Sequence, residues 1–210
     1  MKQTQKMITQ QQGTVLKNGL GVLVPIAAVW YFLFYHTTFL VDLLENDSIP
    51  LRLGLAIKCI FTCSLILVVI IPVMTTKRFL SETINPTLMD QVDDKGSISA
   101  EVKAKFNNIQ LYQRILQNSL EQFTIVSCNI LVLSLYLERT SLRLLVFTSV
   151  TFLLCRSLFW YGYLKNYILR SYGFIPGIIL NMTITMLSLY YIITADVIPY
   201  MQREHLIIHK

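Results

Sequence analysis

Between Ser171 and Ala195 the chain reads SYGFIPGIILNMTITMLSLYYIITA, 25 residues without a formal charge. About 20 apolar helical residues cross a hydrocarbon core about 30 Å thick, so this run alone is long enough to span a bilayer. A second run, from Asn18 to Val41 between Lys17 and Asp42, is uncharged for 24 residues. Between the two lie three more apolar segments bounded by charges: about Leu53 to Thr76, Phe106 to Leu137 and Ser141 to Leu164. Composition agrees with this reading. Hydrophobic residues make up 54% of the 210 and charged residues 14%, against roughly 25% charged in a soluble domain. A soluble fold of this length needs more charge to coat its surface. The sequence predicts an all-α integral membrane protein with five transmembrane helices.

The first segment is too long for a signal-peptide core and has no small-residue cleavage site behind it, so it reads as a retained signal anchor. Pro25 is expected to kink it, with Trp30, Tyr31 and Tyr35 as headgroup-level anchors. Lys58, near one end of the second segment, can extend its stem toward the interface. Orientation follows from the basic flanks. Lys2, Lys6, Lys17, Lys77, Arg78, Lys95, Lys103, Lys105, Lys165 and Arg170 fall on one side, against Arg52, Arg139, Arg143, Arg203 and Lys210 on the other. The excess places the amino terminus in the cytosol and the carboxyl terminus in a lumen or outside. The Asn46-Asp47-Ser48 sequon then lies in a lumenal loop. Three parts result: residues 1–52 (tail, extra helix and lumenal loop), 53–195 (a four-helix bundle) and 196–210 (a lumenal tail). The loop from Thr76 to Lys105, with Asn85-Pro86 and Asp93-Asp94, reads as a solvated cytosolic connection.

The net charge of +6 does not indicate nucleic acid, because the basic residues form no dense stripe with interleaved aromatics. Cys59, Cys63, Cys128 and Cys155 all fall in apolar segments, with neither disulfide-framework nor zinc spacing. His205 and His209 are four apart but have no third ligand in view, so no metal is expected. The three histidines lie at the two ends of the chain, which leaves no serine-histidine-acid arrangement. The aromatic run Phe159, Trp160, Tyr161, Tyr163 and Tyr167 reads as an interfacial belt rather than a cofactor box.

The third segment carries a polar face. Arg114, Gln117, Asn118 and Glu121 stand at i, i+3, i+4 and i+7 and share one side of a helix. Its 32 residues from Phe106 to Leu137 would rise roughly 48 Å, so the helix must protrude on the cytosolic side. Glu121 then lies roughly 10 Å deeper than Arg114, and a carboxylate there needs a partner or a hydrated cavity. Arg156, about 13 Å in from Lys165 on the fourth helix, is the expected partner. A Glu121–Arg156 pair could simply lock the bundle. It could instead belong to a cytosol-facing pocket where Arg114, Arg170 and Lys77 receive carboxylates and Asn118 and Glu121 offer hydrogen bonds.

At these residues the chain resembles a known family. Arg114-Ile115-Leu116-Gln117-Asn118-Ser119-Leu120-Glu121 is similar to the R-x-x-x-N-x-x-E motif of the membrane-associated proteins in eicosanoid and glutathione metabolism (MAPEG). Phe159-Trp160-Tyr161-Gly162-Tyr163 and Arg170-Ser171 resemble that family's third helix and the loop after it, and Asn85-Pro86 resembles a feature of its first cytosolic loop. The similarity covers about residues 53–195, which would form a MAPEG-like four-helix bundle. The extra first helix and Gln117-Asn118-Ser119 followed by Glu121-Gln122-Phe123 look closer to the five-pass, mattrin-like branch. The resemblance implies a homotrimer with glutathione sites between subunits, facing the cytosol. Carried over by position, Arg114, Asn118, Glu121 and Tyr163 would touch the tripeptide. Arg170 would lie near the thiol as the catalytic cation, where positive charge stabilises thiolate. Ser171 would sit beside it, and Lys77 would replace a loop arginine. Gln110-Leu111, Leu116 and Phe159 depart from the polar residues that enzymes of the family carry there, and several members bind or regulate rather than catalyse.

Two functional readings follow. One is a non-catalytic membrane protein of the secretory and endolysosomal system (endoplasmic reticulum, Golgi or lysosome) acting through lipids or membrane-protein partners. The other is a glutathione-dependent transferase or peroxidase acting on lipophilic electrophiles. A channel or transporter fits less well, because the charged face sits at one end of the bundle.

Overall fold

The computed structural model describes residues 19–36, 48–80, 100–165 and 167–200, together with Gly13 and Lys17. The sequon at Asn46, the Asn85-Pro86 loop, Asp93-Asp94 and the His205/His209 tail lie outside the described residues. Five α-helices follow in order: α1 (Leu23–His36), α2 (Ile49–Leu80), α3 (Ala100–Tyr136), α4 (Arg143–Lys165) and α5 (Tyr167–Ile192). A 3-10 turn (Arg139–Ser141) joins α3 to α4, and a π turn (Ile193–Val197) extends α5. There is no strand among the described residues. Among the described residues four helices are long and apolar enough to cross a membrane, and the amino-terminal helix is a shorter apolar one. The protein is an all-α, multi-pass membrane protein.

The helices outrun their apolar cores. α2 starts at Ile49 and ends at Leu80, where hydropathy alone suggests Leu53 to Thr76. The backbone ladder simply continues through polar ends. The Ser48 carbonyl accepts the amides of Leu51 and Arg52 at 3.1 Å, and Lys77 and Arg78 fill the last turn, where cations offset the helix dipole. α3, at 37 residues, rises about 55 Å and overshoots a bilayer core by roughly 25 Å. Pro25 follows the helical residues 19–21 and has no N–H for the carbonyl four residues back, a usual cause of a break in the preceding turn. The discontinuity lies ahead of it, at a turn on Val22.

The chain divides into two compact units, residues 1–63 with 122–210, and residues 64–121. In the first, α4 is the buried helix. Leu145, Phe152, Cys155 and Arg156 have no exposed surface, and Phe159 has 2%. α5 lies directly on it because two glycines four residues apart, Gly173 and Gly177, remove side chains from the contact. A Cβ at Gly173 would strike the carbonyl of Cys155 and the amide of Phe159. A Cβ at Gly177 would strike the Arg156 guanidinium. Small residues at this spacing allow close helix approach in membranes, where packing replaces the hydrophobic drive.

Interhelical hydrogen bonds add direction to that packing. Asn181 Nδ2 on α5 donates to Gln122 Oε1 on α3 at 2.5 Å, and Asn129 Nδ2 on α3 donates to Thr185 Oγ1 on α5 at 2.9 Å. Such bonds are worth about 0.6 kcal/mol on average within a bilayer. Arg52 Nη1 on α2 donates to the Leu137 carbonyl at 2.7 Å, satisfying the end of α3. At that same end Tyr136 donates to Asp196 on the π turn and stacks on Tyr191, centroids 6.4 Å apart. α1 is tied to α4 by Trp30 Nε1, which donates to Thr151 Oγ1 at 2.6 Å. Large apolar side chains such as Ile57, Phe61, Val68, Leu154 and Met186 remain outward, as a lipid-facing surface requires. Because a Cβ at Gly173 would meet backbone atoms of α4, which cannot turn aside as a side chain can, Gly173→Ala should destabilise the folded protein by at least about 1–3 kcal/mol, the usual cost of overpacking. Denaturant unfolding in micelles measures it, with exposed Met186→Ala as the neutral control.

Candidate functional site

The second unit contains the carboxyl-terminal part of α2 and the amino-terminal part of α3 up to Glu121. Ile109, Tyr112, Ile115 and Ser119 are buried on α3, while Gln113, Arg114, Gln117 and Glu121 are exposed. This is the three-to-four-residue alternation of an amphipathic helix. The exposed side of α3 and the end of α2 bound an open groove of about 740 Å³, lined by Met74 and Arg78 from α2 and by Gln110, Gln113, Arg114, Leu116, Gln117, Asn118, Leu120 and Glu121 from α3. Small-molecule sites fall roughly between 300 and 1,000 Å³.

Of the residues expected from the sequence, Arg114, Asn118 and Glu121 are brought together on this groove. Gln117 Nε2 donates to Glu121 Oε1 at 2.9 Å, one turn along the same helix. The exposed carboxylate thus meets an amide on its own face. Lys77 is exposed on the last turn of α2 but is not among the lining residues, whereas its neighbour Arg78 is. One residue rotates a helix by about 100°, so the two cations point in different directions. Choosing between them requires knowing that α2 stays helical through Leu80. Gln110 and Gln113 also line the groove, adding amide donors and acceptors that the sequence motif did not single out.

The remaining expected residues belong to the first unit, and their surroundings are apolar or aromatic. The Arg170 guanidinium lies over the Tyr163 ring, 5.1 Å from its centroid. Ser171 is buried, at 2% exposure. Phe159, at the position where enzymes of the resembled family carry a polar ring, packs edge-on against Tyr163 at 5.4 Å and tilted against Phe174 at 5.9 Å. The Arg156 guanidinium is fully buried against the rings of Phe159 and Phe152, at 5.1 and 5.7 Å, beneath Gly177. Desolvated cation–π contacts of this kind reach about 2 kcal/mol. Among the described residues no group of three or more His, Cys, Asp or Glu side chains could hold a metal ion.

A family model, that of the MAPEG family, matches residues 59–190, more than half of the chain, with α3 and α4 entire and α2 and α5 in part. The chain belongs to the MAPEG family. No curated protein and no solved structure matches it.

The two kinds of arginine should separate experimentally. Arg156→Ala removes a fully buried side chain and its aromatic contacts, so stability should fall by more than about 2 kcal/mol. Arg114→Ala, on an exposed groove wall, should stay within about 0.5 kcal/mol. Thermal unfolding of both variants in the same detergent provides the comparison.

Proposed function

We propose that this MAPEG-family protein holds a small anionic, peptide-like ligand of the glutathione type in the α2–α3 groove. It acts without chemistry on that ligand, through lipids and membrane-protein partners in secretory and endolysosomal membranes. The groove carries this reading. Two guanidinium groups, Arg78 and Arg114, border it together with four amides and one carboxylate, the donor set suited to a tripeptide bearing two carboxylates and an ammonium. Arginine binds carboxylate in a two-pronged fashion that lysine cannot reproduce. Asn118 and Glu121 would receive the amide and ammonium groups of the ligand.

Two positions favour binding over catalysis. Leu116 brings an aliphatic side chain to the groove, and Phe159 is consumed in packing against Tyr163 and Phe174. The alternative, a glutathione-dependent transferase or peroxidase, is favoured by one observation: Arg170 is held on the Tyr163 ring, a fixed cation of the kind that would stabilise a thiolate, with Ser171 next to it in the chain. Assembly as a homotrimer, membership of the five-pass mattrin-like branch, and a cytosolic amino terminus with a lumenal carboxyl terminus complete the proposal. Pairing of Glu121 with Arg156, within one subunit or between two, rests on the sequence argument that ionised groups in a membrane helix seek each other.

Calorimetry of the detergent-purified protein with glutathione tests the reading. Saturable heat is expected, weakened about tenfold by Arg114→Ala or Arg78→Ala, the loss of one charge-assisted hydrogen bond of about 1.5 kcal/mol. Absence of heat at millimolar glutathione would remove the ligand. Consumption of glutathione with an aryl halide or a lipid hydroperoxide, abolished by Arg170→Ala, would establish the enzyme instead.

A further inference from the structure

Lys58 interrupts the apolar stretch of α2, and its side chain is exposed. From Cys59 to Thr76 there are 18 uncharged residues before the next cation, Lys77. At 1.5 Å per residue that stretch rises about 27 Å, close to the hydrocarbon thickness of a bilayer. The Lys58 ammonium therefore stands at the level of headgroup phosphates.

It also stands at the mouth of a cavity. Lys58 and Thr62 of α2 and Val146, Ser149 and Val150 of α4 border a hollow of about 390 Å³ with no acidic residue on its lining. The hydroxyls there are already used: Thr62 donates to the Lys58 carbonyl at 3.0 Å and Ser149 to the Val146 carbonyl at 2.8 Å. The ammonium is the charged donor of the site. A second hollow of about 300 Å³ shares Val146 and Val150 with the first and continues past Leu154 along Pro25 and Trp30 of the amino-terminal segment. Val146, Val150 and Leu154 stand at i, i+4 and i+8, so they form one ridge about 12 Å long on α4. The Trp30 indole N–H is satisfied by Thr151, which keeps this track apolar.

We propose that this cavity and track bind a membrane phospholipid with an anionic headgroup, its phosphate on Lys58 and one acyl chain along Val146, Val150 and Leu154 against α1. A free phosphate would have no use for the track. A zwitterionic headgroup brings no net negative charge to offset the Lys58 ammonium. The assignment gives the extra amino-terminal helix a role as one wall of a lipid site.

The test uses the full chain in micelles doped with a phosphatidylserine carrying a diazirine at the end of one acyl chain, or with phosphatidylcholine carrying the same chain. Labelling by the serine lipid should exceed that by the choline lipid about fivefold, the order set by one lysine at a charged interface. Adducts should map to the peptides containing Val146–Leu154 and Pro25–Trp30. Lys58→Gln should reduce serine-lipid labelling to the choline level, whereas Lys58→Arg should retain it. Val150→Trp, at an exposed position that folding tolerates, should block both probes with Lys58 intact. Equal labelling by the two lipids, an unchanged Lys58→Gln variant, adducts elsewhere on the helices, or equal competition by oleate would each overturn the proposal.

Discussion

The fold turns on one close approach, where α5 gives up two side chains so that α4 can keep a guanidinium. Gly173 lets the helix backbones touch, and Gly177 leaves room above Arg156. A bilayer offers no hydrophobic reward for bringing helices together, since lipid tails are as apolar as leucine. Packing and polar contacts must do that work. Here they do so through aromatic faces around a buried cation and through the Asn181–Gln122 and Asn129–Thr185 hydrogen bonds. The result is a tightly packed pair, α4 and α5, with the other helices of its unit secured by specific polar ties.

The candidate site is of the opposite kind. In the second unit the end of α2 and the protruding part of α3 present amides and charges to an open groove. Arg78, Arg114 and Glu121 are exposed there, whereas Arg156 is fully buried. This contrast separates residues that hold the molecule together from residues available to a ligand. Phe159, buried against Tyr163 and Phe174, belongs to the first kind.

Much of this was legible in the residue order. The gaps between charges located every long helix, because crossing hydrocarbon demands uninterrupted apolar residues. The spacing of Arg114, Asn118 and Glu121 puts them on one face, because a helix fixes the angle between residues. The helix ends were less legible. α2 and α3 run on through polar residues that hydropathy discounts, so the directions in which Lys77 and Arg78 point were not legible.

The sequence by itself determined the class of protein, the four long membrane helices and the polar face of α3, since each depends only on local periodicity and on the thickness of a bilayer. Tertiary structure alone decided which cation lines the groove, that Gln117 is the amide meeting Glu121, that Arg156 lies among aromatic rings under Gly177, and that Lys58 opens onto a cavity between α2 and α4. Each of these depends on which helix faces which across a contact. Distances between residues far apart in the chain are set by packing, and no local pattern records them.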